Sequence, residues 1–163
     1  SQLQVMDPLK SGSHFDICES MRRVLISMEK KITDRHLDVD ADIPEEPILV
    51  RGDNDMITQV IYNLLENATK FAREGTTLYL GVTTIDGKAR VTVRNLGDTI
   101  PAEELPLLFE RFHKSDKSRS EDKDGVGLGL YIVKTILEQH KEKINVTSEN
   151  GVTTFAFSLS MDA

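Results

Sequence analysis

Asn63 and Asn67 stand four residues apart in "NLLENATKF", and Lys70 and Phe71 follow at once. On a helix that spacing points both amides the same way, with Lys70 one turn beyond Asn67. Asn67 could serve as a neutral oxygen ligand for Mg²⁺, which commonly takes few protein groups together with substrate phosphates. The Lys70 ammonium could meet a phosphate as a point charge, and Phe71 could cover a base or pack in a core. The same amides could equally cap loops or bond neighbouring backbone, because polar groups beside an apolar helix face need partners.

Further on, "DGVGLGLYIV" sets Gly125, Gly127 and Gly129 at alternate positions, interleaved with Val126, Leu128 and Leu130. Glycines leading into a helix expose backbone N–H donors at its N-terminus, an end that favours anions. The spacing is neither the lysine-bearing phosphate loop nor the dinucleotide fingerprint. A hinge is the competing reading. The preceding "HKSDKSRSEDKDGVG" alternates basic and acidic side chains, as a solvated loop does. Because it abuts the glycines, it could also be a lid over phosphates. In "VTVRNLGDTIPAEEL" a strand stops at Asn95, turns through Gly97 and enters a helix after Pro101. Turn chemistry alone accounts for those residues, so spacing leaves open whether Asn95 faces a ligand. His14, His36, His113 and His140 show no metal-ligand spacing and no nucleophilic arrangement, and read as surface or edge histidines.

These groups need elements to hold them. Ile17, Met21, Val24, Leu25 and Met28 recur at helical spacing, predicting a helix from the N-cap Asp16 to about residue 33. Two short strands follow around "HLDVDA" and "ILVRG", parted by the Pro-rich "DIPEEP". A second helix spans about 53–72, with an acidic "DND" start and a broad apolar face. "TTLYLGVTTI" and "ARVTVRN" pair through the Asp86-Gly87 hairpin turn. "EELPLLFERF" is helical, its length limited by Pro106. "LGLYIVKTILEQH" forms a third helix, and the last strands turn near Asn150-Gly151. The order predicts an α+β, two-layer sandwich, with a mixed, mostly antiparallel sheet covered on one face by three helices.

Composition bounds the rest. The 163 residues suit one domain. A net charge of −7 argues against a nucleic-acid binder, which would show a basic balance. The single cysteine, Cys18, excludes an internal disulfide and reads as a small core hydrophobe. No apolar run approaches the roughly 20 residues a membrane span needs. Residues 1–14 read as a frayed entry, and 15–160 as the domain.

In this order, "NLLENATKF", "NLGDTIP", "LFERFHKSD", "GVGLGLYIVK" and "GVTTFAFSL" resemble the ATP-binding catalytic domain of sensor histidine kinases. That family shares a superfamily, and the Bergerat-type fold, with DNA gyrase, heat-shock chaperones and mismatch-repair ATPases. The resemblance implies Mg²⁺ on Asn67, Asn63 as the first residue of that box, Lys70 reaching phosphates and Phe71 against adenine. It implies adenine and rim contacts from Asn95, Gly97, Thr99 and Ile100. It further implies an ATP lid at about 109–127, opened by Phe112 and Lys114 and closed by the segment from Gly125 through Leu130. Thr153 or Thr154 resembles a threonine on the pocket floor, with Thr154 taken as the site residue. The implied activity is transfer of the γ-phosphoryl of Mg-ATP to a histidine on a separate dimerisation hairpin, upstream of Ser1, with a response regulator downstream. The implied setting is cytoplasmic, as part of a membrane-bound kinase, with no membrane contact by the domain itself and a monomer in isolation. A nucleotide-sensing module and a serine-directed anti-sigma-factor-type kinase are the alternatives.

Two positions depart from the family or divide it. Gyrase-like ATPases carry a Glu base for water where Asn63 stands, and an amide cannot accept a proton at neutral pH. Intrinsic hydrolysis is therefore expected to be weak. The family pattern has Asp at Asn95 and a glycine at Thr99. Asn95 can accept a hydrogen bond from adenine, but a flipped amide can also donate to the O6 of guanine, which predicts relaxed selectivity.

Overall fold

The computed structural model describes residues 7–9, 13–113 and 128–161. Strand β1 (His14–Asp16) leads directly into helix α1 (Ile17–Ser27), so among the described residues the first regular element starts at His14, inside the segment expected as a frayed entry. One carboxylate oxygen of Asp16 accepts from the backbone N–H of Cys18 and of Ile48, each at 3.0 Å. It thereby caps the helix and ties it to the chain entering strand β3. Cys18 is fully buried, and burial, with the charge of Asp16, pushes its thiol pKa up.

The first helix ends earlier than its periodicity predicts. Ser27 Oγ donates to the Val24 carbonyl at 2.7 Å, and the Met28 N–H is shared between Val24 and Leu25. That local competition for carbonyls closes the helix, and α2 (Glu29–Asp34) follows as a separate turn. Strands β2 (Asp38–Asp42) and β3 (Leu49–Arg51) go to different sheets. β2 runs parallel to β4 (Thr77–Ile85), while β3 pairs antiparallel with β1. Between them and β4 lies α3 (Asn54–Phe71), N-capped by Asp53, whose side chain accepts from Met56 N–H at 2.9 Å.

The main sheet adds β5 (Lys88–Leu96), β6 (Asn145–Glu149) and β7 (Val152–Ser160), in the order β2-β4-β5-β7-β6. Apart from the parallel β2–β4 pair, its neighbours are antiparallel. Asp86 and Gly87, and again Asn150 and Gly151, have positive φ at both central turn positions. That is the turn whose twist matches a right-handed hairpin. Helix α4 (Gly129–Gln139) packs against α3.

Strand alternation decides which residues meet the helices. Leu78, Leu80 and Val82 of β4, Ala89, Val91 and Val93 of β5, and Phe155, Phe157 and Leu159 of β7 are buried beneath the helical layer. At about 1.5–3 kcal/mol for each large apolar side chain buried, a one-residue slip of β5 against β7 would forfeit far more than any polar contact could restore. The expected α+β sandwich is thus present, with α1, α3 and α4 as its long helices, and α2 and the β1–β3 pair as additions. The stretch expected as a helix around Pro106 is a 3₁₀ helix, Leu105–Phe109, with the proline at its start. Its buried Phe109 meets Phe155 edge-on at 6.1 Å between ring centres.

Candidate functional site: a cavity between the helical layer and the ends of β5 and β7

A cavity of about 530 Å³ opens where the C-terminal half of α3 faces the ends of β5 and β7. Phe71, Ile100, Pro101, Leu107, Leu108, Leu130 and Phe155 supply its apolar wall. Its polar groups are the amides of Asn67 and Asn95, the hydroxyls of Thr99 and Thr153, and the carboxylates of Asp98, Glu103 and Glu104. Such a mainly apolar hollow with a few convergent polar groups is the usual form of a small-molecule site.

Asn95 and Thr153 arrive there through register. They are direct partners across β5 and β7, and each falls in phase with its strand's buried residues. Both are 4 % exposed. Thr154 lies on the other face of the sheet, where its hydroxyl accepts from Arg94 Nε at 3.2 Å. Of the two threonines, alternation turns only Thr153 toward the cavity, so Thr154, the expected site residue, is not brought to it.

The loop after β5 is stitched to the β6–β7 hairpin. Gly97 N–H donates to Gly151 O at 2.8 Å, and Gly151 N–H donates to Thr99 Oγ1 at 2.7 Å. Ile100 N–H donates to Ser148 Oγ at 2.8 Å, and Ser148 Oγ lies 2.8 Å from Thr153 Oγ1. Gly97 itself faces the end of α3 so closely that a Cβ would sit 2.6 Å from Phe71 O. Only glycine permits that approach.

On α3 the two asparagines differ. Asn67 lines the cavity, and its side chain makes no hydrogen bond among the described residues. Asn63 does not line it; its Nδ2 donates to Gly129 O at 3.0 Å, and its Oδ1 accepts from Gln59 Nε2 at 2.6 Å. The amide thus joins α3 to the first residue of α4. Lys70 holds its ammonium 5.4 Å from the centre of the Phe71 ring. Leu128 is the N-cap residue of α4 without a side-chain cap, and Leu130 reaches the cavity.

Phe112 stands apart, exposed and in the left-handed region, with φ 64°. The Arg111 guanidinium lies between its ring and that of Tyr131, 5.3 and 5.5 Å from their centres. Lys114, Gly125, Val126 and Gly127, with most of the expected lid, lie outside the described residues. The sequence reading does not single out Asp98, Glu103 or Glu104, and it leaves Thr153 as the alternative to Thr154. Alternation along the last strand, which puts Thr153 in phase with the apolar Phe155 and Phe157, is the signal that separates it from Thr154.

One histidine also departs from expectation. His140, read as a surface residue, is buried at the end of α4, and its pKa is pushed below the ordinary value, mainly by burial.

This fold is that of a histidine kinase-type ATPase domain. The chain belongs to the family of histidine kinase-, DNA gyrase B- and HSP90-like ATPases, whose model matches residues 52–163. Among its relatives is the sensor histidine kinase CusS of Escherichia coli strain K12, 40 % identical over 110 residues. That match covers 68 % of this chain and 23 % of CusS. The sensor histidine kinase YkoH of Bacillus subtilis is 33 % identical over 139 residues, covering 85 % of this chain and 30 % of YkoH. The chain therefore spans under a third of these relatives' length. Of the solved structures, the nucleotide-free catalytic domain of the histidine kinase ThkA superposes with a TM-score of 0.80 at 28 % identity, covering 91 % of this chain and 94 % of that one. ThkA in complex with the response regulator TrrA matches with a TM-score of 0.75 at 26 % identity, over 92 % and 42 % of the two chains. Among the described residues, no helix is long and apolar enough to cross a membrane.

Proposed function

We propose that this domain binds Mg-ATP in the cavity and donates the γ-phosphoryl group to a histidine on a separate helical dimerisation domain. A response regulator would receive the group next. The carrying observation is the amide at Asn63. One helical turn before Asn67, where a hydrolase would hold a carboxylate base, the chain places an amide already bonded to Gly129 O and Gln59. Nothing there can take a proton from water at neutral pH.

In this reading adenine lies among Asn95, Thr153, Ile100 and Phe71, and the phosphates run toward Asn67, Lys70 and the start of α4. The residues fit Mg²⁺. Asn67 offers an amide oxygen at the cavity wall, and among the described residues no cluster of three or more His, Cys, Asp or Glu exists to hold the ion without phosphate. Bound there, the ion would neutralise phosphate charge, and catalysis would rest on position and charge as in other phosphoryl transfers. The incoming imidazole nitrogen forms the new N–P bond as the bond from the γ-phosphorus to the bridging oxygen breaks, and ADP leaves. Lys114 and the segment Gly125–Gly127 belong to the lid in this proposal.

The test mixes the chain with a histidine-bearing helical hairpin and γ-labelled ATP. Acid-labile, alkali-stable label on the hairpin, with little phosphate released when the hairpin is omitted, is the expected result. Rapid hydrolysis without the hairpin would overturn the proposal. Tight ATP binding with no transfer would favour a nucleotide-sensing module instead.

A further inference from the structure

Asn95 poses a problem of selectivity that the cavity solves elsewhere. A buried amide can turn either its oxygen or its NH₂ toward a ligand, so alone it reads a donor and an acceptor equally well. No hydrogen bond among the described residues fixes which way the Asn95 side chain points. Its cross-strand partner is not ambiguous in this way. Ile100 N–H can only donate, and it donates to Ser148 Oγ at 2.8 Å. Ser148 is buried, so its own hydroxyl hydrogen needs an acceptor, and Thr153 Oγ1 is 2.8 Å away. If Thr153 donated to Ser148 instead, the serine hydrogen would be left buried and unpaired. The direction is therefore Ile100 N–H to Ser148, and Ser148 O–H to Thr153. Thr153 is left with its own O–H to donate, and that side chain lines the cavity beside Asn95.

We infer that Ser148 is a positioning residue that selects purines accepting a hydrogen bond at N1, by holding Thr153 as a donor toward the cavity. This rests on the nucleotide reading of the site. Adenine presents an acceptor at N1, whereas guanine and hypoxanthine carry a hydrogen there. A Thr153 O–H directed at that edge opposes that hydrogen, however Asn95 turns. Ser148 touches no ligand; it acts through the threonine.

The experiment measures binding of ATP, inosine triphosphate and GTP by the chain in Mg²⁺ buffer, for wild type, Ser148→Ala, Ser148→Thr and Thr153→Val. Wild type should prefer ATP to inosine triphosphate. Ser148→Ala frees the Thr153 hydroxyl to turn, so that preference should fall roughly five- to tenfold, about the worth of one hydrogen bond. Thr153→Val should lose it likewise, and Ser148→Thr, which restores a hydroxyl, should recover it. A thermal melt of each variant establishes folding, and Thr153→Val carries the test if Ser148→Ala does not fold. An unchanged ATP-to-inosine ratio in a folded Ser148→Ala or Thr153→Val overturns the inference while leaving the nucleotide site intact. Failure of the wild-type chain to bind any of the triphosphates would overturn the nucleotide reading and this inference together.

Discussion

The backbone N–H of Asp53 donates to Nε2 of His140 at 3.1 Å, joining the start of α3 to the end of α4. Because Nε2 accepts, Nδ1 must carry the ring hydrogen, and it lies 2.9 Å from Ile136 O as the donor to that carbonyl. The ring is therefore held neutral between both helices of the site. Burial lowers its pKa, against the smaller opposing pull of the Ile136 bond and the charges of Asp53, Glu142 and Asp7.

A depressed folded-state pKa means that the unfolded chain binds the proton first as pH falls. His140 thus adds stability above its ordinary pKa of about 6.5, and that contribution is lost as pH drops below it toward the folded value. Between about pH 7 and pH 5 the wild-type melting temperature should fall more steeply than that of His140→Gln, which cannot titrate. Carboxylate effects are common to both proteins and cancel in the comparison. Parallel curves over that interval would refute the role given to His140.

Gly97→Ala would drive a methyl group to 2.6 Å from Phe71 O, a backbone atom that cannot swing aside. Such overpacking should cost about 1–3 kcal/mol. The strain falls where β5 meets the end of α3, so nucleotide affinity should drop along with the melting temperature. Wild-type stability in this variant would show that the two segments can part freely.

Asn67 should behave in the opposite manner. Its side chain has no hydrogen-bond partner among the described residues, so Asn67→Ala should alter stability by no more than about 0.5 kcal/mol. In the proposed reading it should abolish the gain in ATP affinity that Mg²⁺ brings. Calorimetric titration with and without the ion checks this; an undiminished Mg²⁺ effect would remove Asn67 from the metal site.

Asn63→Ala should destabilise the chain by about 0.5–1.5 kcal/mol, the net worth of an ordinary hydrogen bond, because its ties to Gly129 O and Gln59 are lost while both of those exposed residues can turn to water. Denaturant melts give the value directly. A neutral result would mean that water replaces the amide at no cost.

Asn95→Asp should raise the ratio of ATP to GTP affinity, since a carboxylate can accept from the adenine amine but cannot donate to guanine O6. The gain should be several-fold, as charged acceptors bond more strongly by about 1–1.5 kcal/mol. Equal ratios for the two proteins would show that the amide does not face the purine edge.

Much of this molecule follows from local rules. Apolar spacing around Ile57–Leu65 defines α3, the Asp16 and Asp53 caps mark helix starts, and Asp86-Gly87 and Asn150-Gly151 define hairpins. Each depends on residues within a turn of one another, so the chain alone determines them. The order of the asparagine box, the turn after β5 and the glycine segment likewise pointed to the family before any packing was known. Tertiary structure decided what depends on distant partners. Whether Thr153 or Thr154 faces the cavity rests on the register of β7 against β5, and the separation of Asn67 from Asn63 rests on Gly129, sixty-six residues away. The burial of His140 required Asp53 to arrive from the other side of the fold. Spacing along a chain determines which groups share a face, but only the packing of that face determines which of them are already bonded and which are left to meet a ligand.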